Sequence, residues 1–242
     1  MRSKILNHFY ILIAAIYALS FLQAAEDPAA PAIKEGKLGE RFMEMHEKFL
    51  ARAKQGNIDL LFLGDSITEG WDKVPQTWGK YYTKYNAANF GIGGDRTQHV
   101  LWRIANGELD GISPKVIVLM IGTNNTADDS AEDIAKADIK IVQTIQQKLP
   151  QAKVLFLGIF PRGVKKKADD GPDRMEKIKQ INLELAKLDD GKTIRYLDIS
   201  NKFLDPDGKI QKEIMPDALH PNNKGYQIWA DAMQPLLEEM MK

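Results

Sequence analysis

The chain has 242 residues, 44% of them hydrophobic, which suits one medium-sized domain with a real apolar core. Its 33 basic and 33 acidic residues cancel formally, so no positive field gathers nucleic acid; the run Lys165, Lys166, Lys167 is answered by Asp169, Asp170 and Asp173. Cysteine is absent, which excludes disulfides and thiol lipidation and leaves stability to packing.

Arg2 and Lys4 precede a stretch without formal charge from Ile5 to Ala25, containing Ile11, Leu12, Ile13 and Ile16 and ending on Ala24 and Ala25 before Glu26. This layout predicts a secretory signal peptide over residues 1–25, export to a periplasm or the extracellular medium, and no stable membrane insertion after cleavage. An uncleaved membrane anchor is the alternative, because the run approaches the ~20 residues a spanning helix needs. Residues 26–36 are rich in Ala and Pro and lack hydrophobic periodicity, the pattern of a linker. The folded domain is expected over 37–242. Its first helix is read from Leu38, Phe42, Met45, Phe49 and Ala53, spaced three and four apart.

Four apolar runs follow: IDLLFLG from Ile58, VIVLMIG from Val116, VLFLGIF from Val154 and TIRYLDI from Thr193. The first three are almost unbroken in hydrophobicity, as strands covered on both faces require. AANFG from Ala87 adds a fifth strand. Helical stripes alternate with them: Ile134, Ile141, Ile145 and Leu149; Met175, Ile178, Ile181, Leu185 and Leu188; and Tyr226, Trp229, Met233, Leu236 and Met240 at the end. Alternation of this kind predicts an α/β fold, a three-layer sandwich with a central parallel five-stranded sheet.

In such a sheet, functional groups gather beyond the carboxyl ends of the strands. Those ends carry Gly64-Asp65-Ser66-Ile67, Gly91-Ile92-Gly93-Gly94-Asp95 and Gly122-Thr123-Asn124-Asn125, and Asp217-Ala218-Leu219-His220 follows the last strand. A serine hydroxyl needs a base to take its proton, and the base needs a partner to fix its tautomer; Ser66, His220 and Asp217 can fill these roles. The Ser66 and Gly94 backbone amides and the Asn124 side chain are candidate donors to an oxyanion. Asp65, Trp71, Asp95, Arg96 and Arg162 are candidate pocket residues. Each has a competing structural role: a helix cap for Asp65, core packing for Trp71, surface ion pairing for Arg96 and Arg162. His46 and His99 lie in helical segments without a ligand set around them, so no metal is expected. Neither G-x-G-x-x-G nor the full phosphate loop G-x-x-x-x-G-K-[ST] occurs, which argues against bound nucleotide.

GDSI at 64–67, GIGGD at 91–95, GTNN at 122–125 and DALH at 217–220 resemble the four blocks of the SGNH (GDSL-type) hydrolases, in order from about Asp59 to Trp229. The stretches NFGIGGDRTQHVLWRIANGEL, PKVIVLMIGTNN and PQAKVLFLGIFPRG are similar to the catalytic subunits of platelet-activating-factor acetylhydrolases. The resemblance implies a flavodoxin-like SGNH hydrolase domain and ester hydrolysis with no metal or organic cofactor. Ser66 would be nucleophile and oxyanion donor, Gly94 and Asn124 the other donors, His220 the base and Asp217 its orienter. The first block continues as TEGW, which places Trp71 near the mouth and resembles secreted enzymes that deacetylate carbohydrates. The expected substrate is therefore a small-molecule or glycan ester, carbohydrate O-acetyl esters first. Phospholipid or lysophospholipid acyl hydrolysis is the second reading, and a non-catalytic glycan-binding protein the third.

Overall fold

The computed structural model describes residues 27–163 and 171–242; the expected signal peptide and the basic run at 165–167 lie outside them. Helix α1 (Gly36–Lys54) leads into β1 (Leu60–Gly64), the short helix α2 (Ser66–Glu69), α3 (Pro75–Tyr82), β2 (Ala87–Gly91) and α4 (Thr97–Ala105). Then come β3 (Val116–Met120), α5 (Ala131–Lys148), β4 (Lys153–Leu157), α6 (Gly171–Leu185), β5 (Ile194–Leu197) and α7 (Asn223–Met241). All five strands are parallel, in the order β2-β1-β3-β4-β5.

The strands are apolar on both faces because helices cover both. Leu61, Leu63, Phe90, Ile117, Leu119, Val154 and Phe156 pack with α1, α4, α5 and α6. Leu60, Phe62, Val116, Val118, Leu155 and Leu157 face the opposite layer, where Tyr82 of α3 and Trp229, Met233 and Leu237 of α7 close the core. The three-layer α/β sandwich is therefore the fold of the described chain. The edge strand β5 is less buried and carries Arg195, which pairs with Asp189 and Glu239, a charge that discourages further strand pairing.

Helix starts follow local chemistry. Asp65 Oδ1 accepts the Ile67 N–H at the start of α2, Ser130 accepts the Asp133 N–H at α5, and Asn222 accepts the N–H groups of Lys224 and Gly225 at α7. Two stripes are rotated from expectation. In α1 the buried positions are Gly39, Phe42, His46, Phe49 and Ala53, while Leu38 is 67% exposed. His46 takes an interior place where its Nε2 meets the Asn106 carbonyl at 3.2 Å, with the Glu108 carboxylate 3.6 Å from Nδ1. In α7 Leu237, not Leu236, is buried. Residues 27–35 do not hang free as a tether. Thr97 Oγ1 donates to Pro28 O, Lys140 Nζ to Ala29 O and Ala32 N–H to Gln98 O, which ties the segment to α4 and α5. No helix among the described residues is long and apolar enough to cross a membrane.

Candidate active site

The sheet order reverses at β1: the chain passes outward to β2 and then returns to β3 on the other side. The crevice beyond such a switch point is where open sheets hold their ligands. Ser66 follows β1 directly, at the head of α2. Its Oγ lies 2.9 Å from His220 Nε2, and His220 Nδ1 lies 2.7 Å from Asp217 Oδ2. An Nδ1–H donated to the carboxylate leaves Nε2 free to accept the serine proton.

The three-residue spacing from Asp217 to His220 has a local cause. Asp217 Oδ1 accepts the backbone N–H groups of Leu219 (3.1 Å) and His220 (2.7 Å), closing a tight turn, and Oδ2 then meets the imidazole of the same turn. Ala218, between them, adopts a left-handed φ of 57°. Its carbonyl accepts the Gly163 N–H from the loop after β4, which fastens the turn to the sheet rim. Burial alone would raise the Asp217 pKa, but the hydrogen bonds from the His220 backbone N–H and imidazole outweigh it and hold the carboxyl below its ordinary range. Asp217 thus stays ionised beside the ring.

The loop after β2 approaches from the other side. Gly94 has a φ of 74°, a left-handed conformation that glycine adopts without a Cβ penalty. The Gly93 N–H donates to Glu69 Oε2 at 2.7 Å, and Glu69 also pairs with Arg41. Asn124, just past β3, donates from Nδ2 to the Asp95 carbonyl at 2.8 Å, which leaves its second N–H for another acceptor. Ser66, Gly94 and Asn124 thus belong to three adjoining strand ends, tied by Glu69 and by the Asp95 carbonyl.

The remaining expected pocket residues separate. Asp65 is a cap: its carboxyl is buried, and burial pushes its pKa up to about 7. Asp95 is a core anion, its carboxylate set against Lys34 at 2.6 Å and Arg103 Nε at 2.9 Å. Trp71 is not at the mouth. It is 1% exposed and packed among Phe62, Tyr82, Tyr226 and Trp229, because its helical turn points inward to the α3–α7 layer. Arg96 pairs with Asp128 at the surface. Arg162 departs from surface pairing: it is half-buried and donates to the Thr123 carbonyl at 2.8 Å, next to Asn124. Burial, and then the charge of Arg174, lower its pKa, with Asp65 and Asp217 acting in the opposite sense.

Two buried charged residues near these strand ends carry little local sequence signal. Arg103, fully buried, bridges Asp95, Glu108 and the carbonyls of Phe90 and Gly64, cementing the ends of β1 and β2. Asp138 on α5 is buried and neither oxygen has a hydrogen-bond partner among the described residues; burial, then the nearby Asp65 charge, push its pKa well above the usual carboxylate range. Both interrupt otherwise apolar stripes, Val100-Arg103-Ile104 and Ile134-Asp138-Ile141, and that interruption is the one trace they leave in the sequence. Among the described residues no cluster of three or more His, Cys, Asp or Glu side chains could hold a metal ion.

Fold and site together define an ester hydrolase built on a three-layer parallel-sheet sandwich. Residues 62–228 match the GDSL-like lipase/acylhydrolase family, and the chain belongs to it. It is 39% identical over 222 residues to the human platelet-activating factor acetylhydrolase IB subunit alpha2, covering 91% of this chain and 93% of that one. A GDSL-like lipase from Bacteroides thetaiotaomicron superposes with a TM-score of 0.66 at 16% identity, over 82% of this chain and 97% of its own. An acetyl xylan esterase superposes with a TM-score of 0.55 at 21% identity, over 74% and 98%. At those identities the two structures share the fold.

Proposed function

We propose that this protein is an exported serine esterase that hydrolyses small acyl esters, acetyl esters above all, through a covalent intermediate on Ser66. The observation that carries the proposal is the continuous relay from Ser66 Oγ to His220 and Asp217, at 2.9 and 2.7 Å. His220 Nε2 takes the serine proton as Oγ attacks the ester carbonyl, and Asp217 stabilises the imidazolium that forms. The oxyanion is met by the backbone N–H groups of Ser66 and Gly94 and by Asn124 Nδ2, donors held in place before the reaction begins. The imidazolium then protonates the departing alkoxide, and water, deprotonated by the same imidazole, releases the acid and restores Ser66. Such an intact relay argues against a silent glycan-binding role.

The acetyl preference draws on the acetylhydrolase named among the relatives, at 39% identity over most of both chains. That kinship favours acetylated glycerophospholipids as the alcohol side. Carbohydrate O-acetyl esters are the second reading, supported by the shared fold with an acetyl xylan esterase; burial of Trp71 removes the side chain that had favoured them. Export rests on the charge and apolar pattern of residues 1–25.

Turnover of p-nitrophenyl esters of graded chain length, followed by acetylated glycerophospholipids and acetylated sugars, tests acyl size and alcohol together. Short acyl esters are expected to dominate, and Ser66→Ala is expected to lower kcat by on the order of 10⁴ or more. Near-normal turnover by clean Ser66→Ala protein would overturn the mechanism.

A further inference from the structure

The stretch from Gly91 to Asp95 contains three glycines, and a glycine-rich turn can rotate its peptide planes at little steric cost. A peptide unit is planar, with its C=O and N–H pointing in opposite directions, so a hold on the carbonyl of one residue fixes the N–H of the next. The carbonyl of Gly93 and the N–H of Gly94 belong to one such unit. Lys34 Nζ donates to that carbonyl at 2.8 Å. The lysine arrives from the segment before α1, fifty-nine residues away in sequence, and its side chain is 6% exposed. Its ammonium is also set 2.6 Å from Oδ1 of the buried Asp95, so the charge is balanced within the interior.

We propose that Lys34 is a positioning residue for ester hydrolysis, which clamps the Gly93–Gly94 peptide with the Gly94 N–H turned toward the acyl carbonyl and polarises that N–H as a donor. The proposal rests on Gly94 being an oxyanion donor. Its physical basis has two parts. A cation on the carbonyl end of an amide strengthens the donor at the other end, by about 10–30% for one hydrogen bond polarising the next. It also opposes rotation of the peptide, which would turn a carbonyl oxygen toward the developing negative charge. The neighbouring peptides are held separately: the Gly93 N–H by Glu69, the Asp95 N–H by the Ile92 carbonyl and the Asp95 carbonyl by Asn124. None of these bonds uses the Gly94 N–H.

The test compares the full chain with Lys34→Met on p-nitrophenyl acetate, together with inhibition by a short alkyl trifluoromethyl ketone, whose serine adduct carries the oxyanion. We expect kcat to fall 10- to 100-fold, KM to change less than about threefold, and ketone affinity to fall in step with kcat/KM, because the contact matters in the transition state. Lys34→Met leaves Asp95 beside Arg103 alone; if that variant does not fold, Lys34→Met/Asp95→Asn removes one charge of each sign and carries the same expectation. A folded variant with kcat within twofold of the parent overturns the inference, as does a loss confined to KM with ketone affinity unchanged. Ser66→Ala is run alongside. If it is inactive while the Lys34 variants keep kcat within twofold of the parent, only the lysine clamp fails; if it remains active, the active-site reading itself fails.

Discussion

Asp65 and His99 titrate in opposite directions near the same strand ends, and each leaves its own mark on stability. Burial pushes the Asp65 carboxyl up to about 7, despite the Ile67 N–H it accepts. A group raised in the folded state contributes stability that is fully present below its unfolded pKa of ~3.9 and is lost as pH rises through the folded value. Asp65→Asn keeps an acceptor for Ile67, so its melting temperature relative to the parent is expected to rise between pH 5 and pH 8. Burial, followed by the charges of Lys34, Arg96 and Arg103, lowers His99 to about 3. Its contribution is present above pH ~6.5 and is lost as pH falls through the folded value. His99 Nδ1 accepts the Arg96 N–H, a role glutamine can fill at the same helix position. His99→Gln is therefore expected to lose less stability than the parent between pH 7 and pH 4. Melting curves that shift in parallel for parent and variant would contradict these assignments. At the reacting carbonyl, Asn124→Ala removes one side-chain donor and is expected to lower kcat by roughly 10² to 10³ with the fold intact; a loss below tenfold would remove Asn124 from the oxyanion site.

At the scale of elements, β1 and β3 could be recognised in the sequence because they are apolar on both faces, and the caps because Asp65, Ser130 and Asn222 act on N–H groups two or three residues away. Which residue of a helical stripe reaches the core was less legible. Leu38 is more apolar than His46, yet His46 is the buried one, since its partners Asn106 and Glu108 come from a distant part of the chain. Trp71 shows the same limit: its place after the first site block suggested a pocket wall, and contacts from α3 and α7 draw it inward. As a core residue, Trp71→Ala is expected to cost about 3–5 kcal/mol. That corresponds to a drop in melting temperature on the order of 10 °C. The KM for p-nitrophenyl acetate should stay near that of the parent at a temperature where the variant is folded. A large rise in KM without loss of stability would return Trp71 to the pocket.

Across the whole molecule, the site is assembled from strand ends that are distant in sequence and adjacent in space. Ser66, the glycine turn and Asn124 could be located because each follows an apolar run, and the Asp217–His220 pair because one short turn holds both. Lys34, Glu69 and Arg103 could not, since their contacts to the same rim depend on how the layers close. The segment at 27–35 illustrates the point: its composition suits a linker, and its hydrogen bonds to α4 and α5 make it part of the domain. This architecture is expected to form an acyl-enzyme on Ser66. Rapid acid quench of the protein during turnover of p-nitrophenyl acetate, followed by peptide mass spectrometry, tests it most directly. We expect a burst of nitrophenolate and one acetyl group on the peptide containing Ser66, both abolished in Ser66→Ala; steady turnover with no burst and an unmodified Ser66 peptide, in protein that still requires His220, would contradict it.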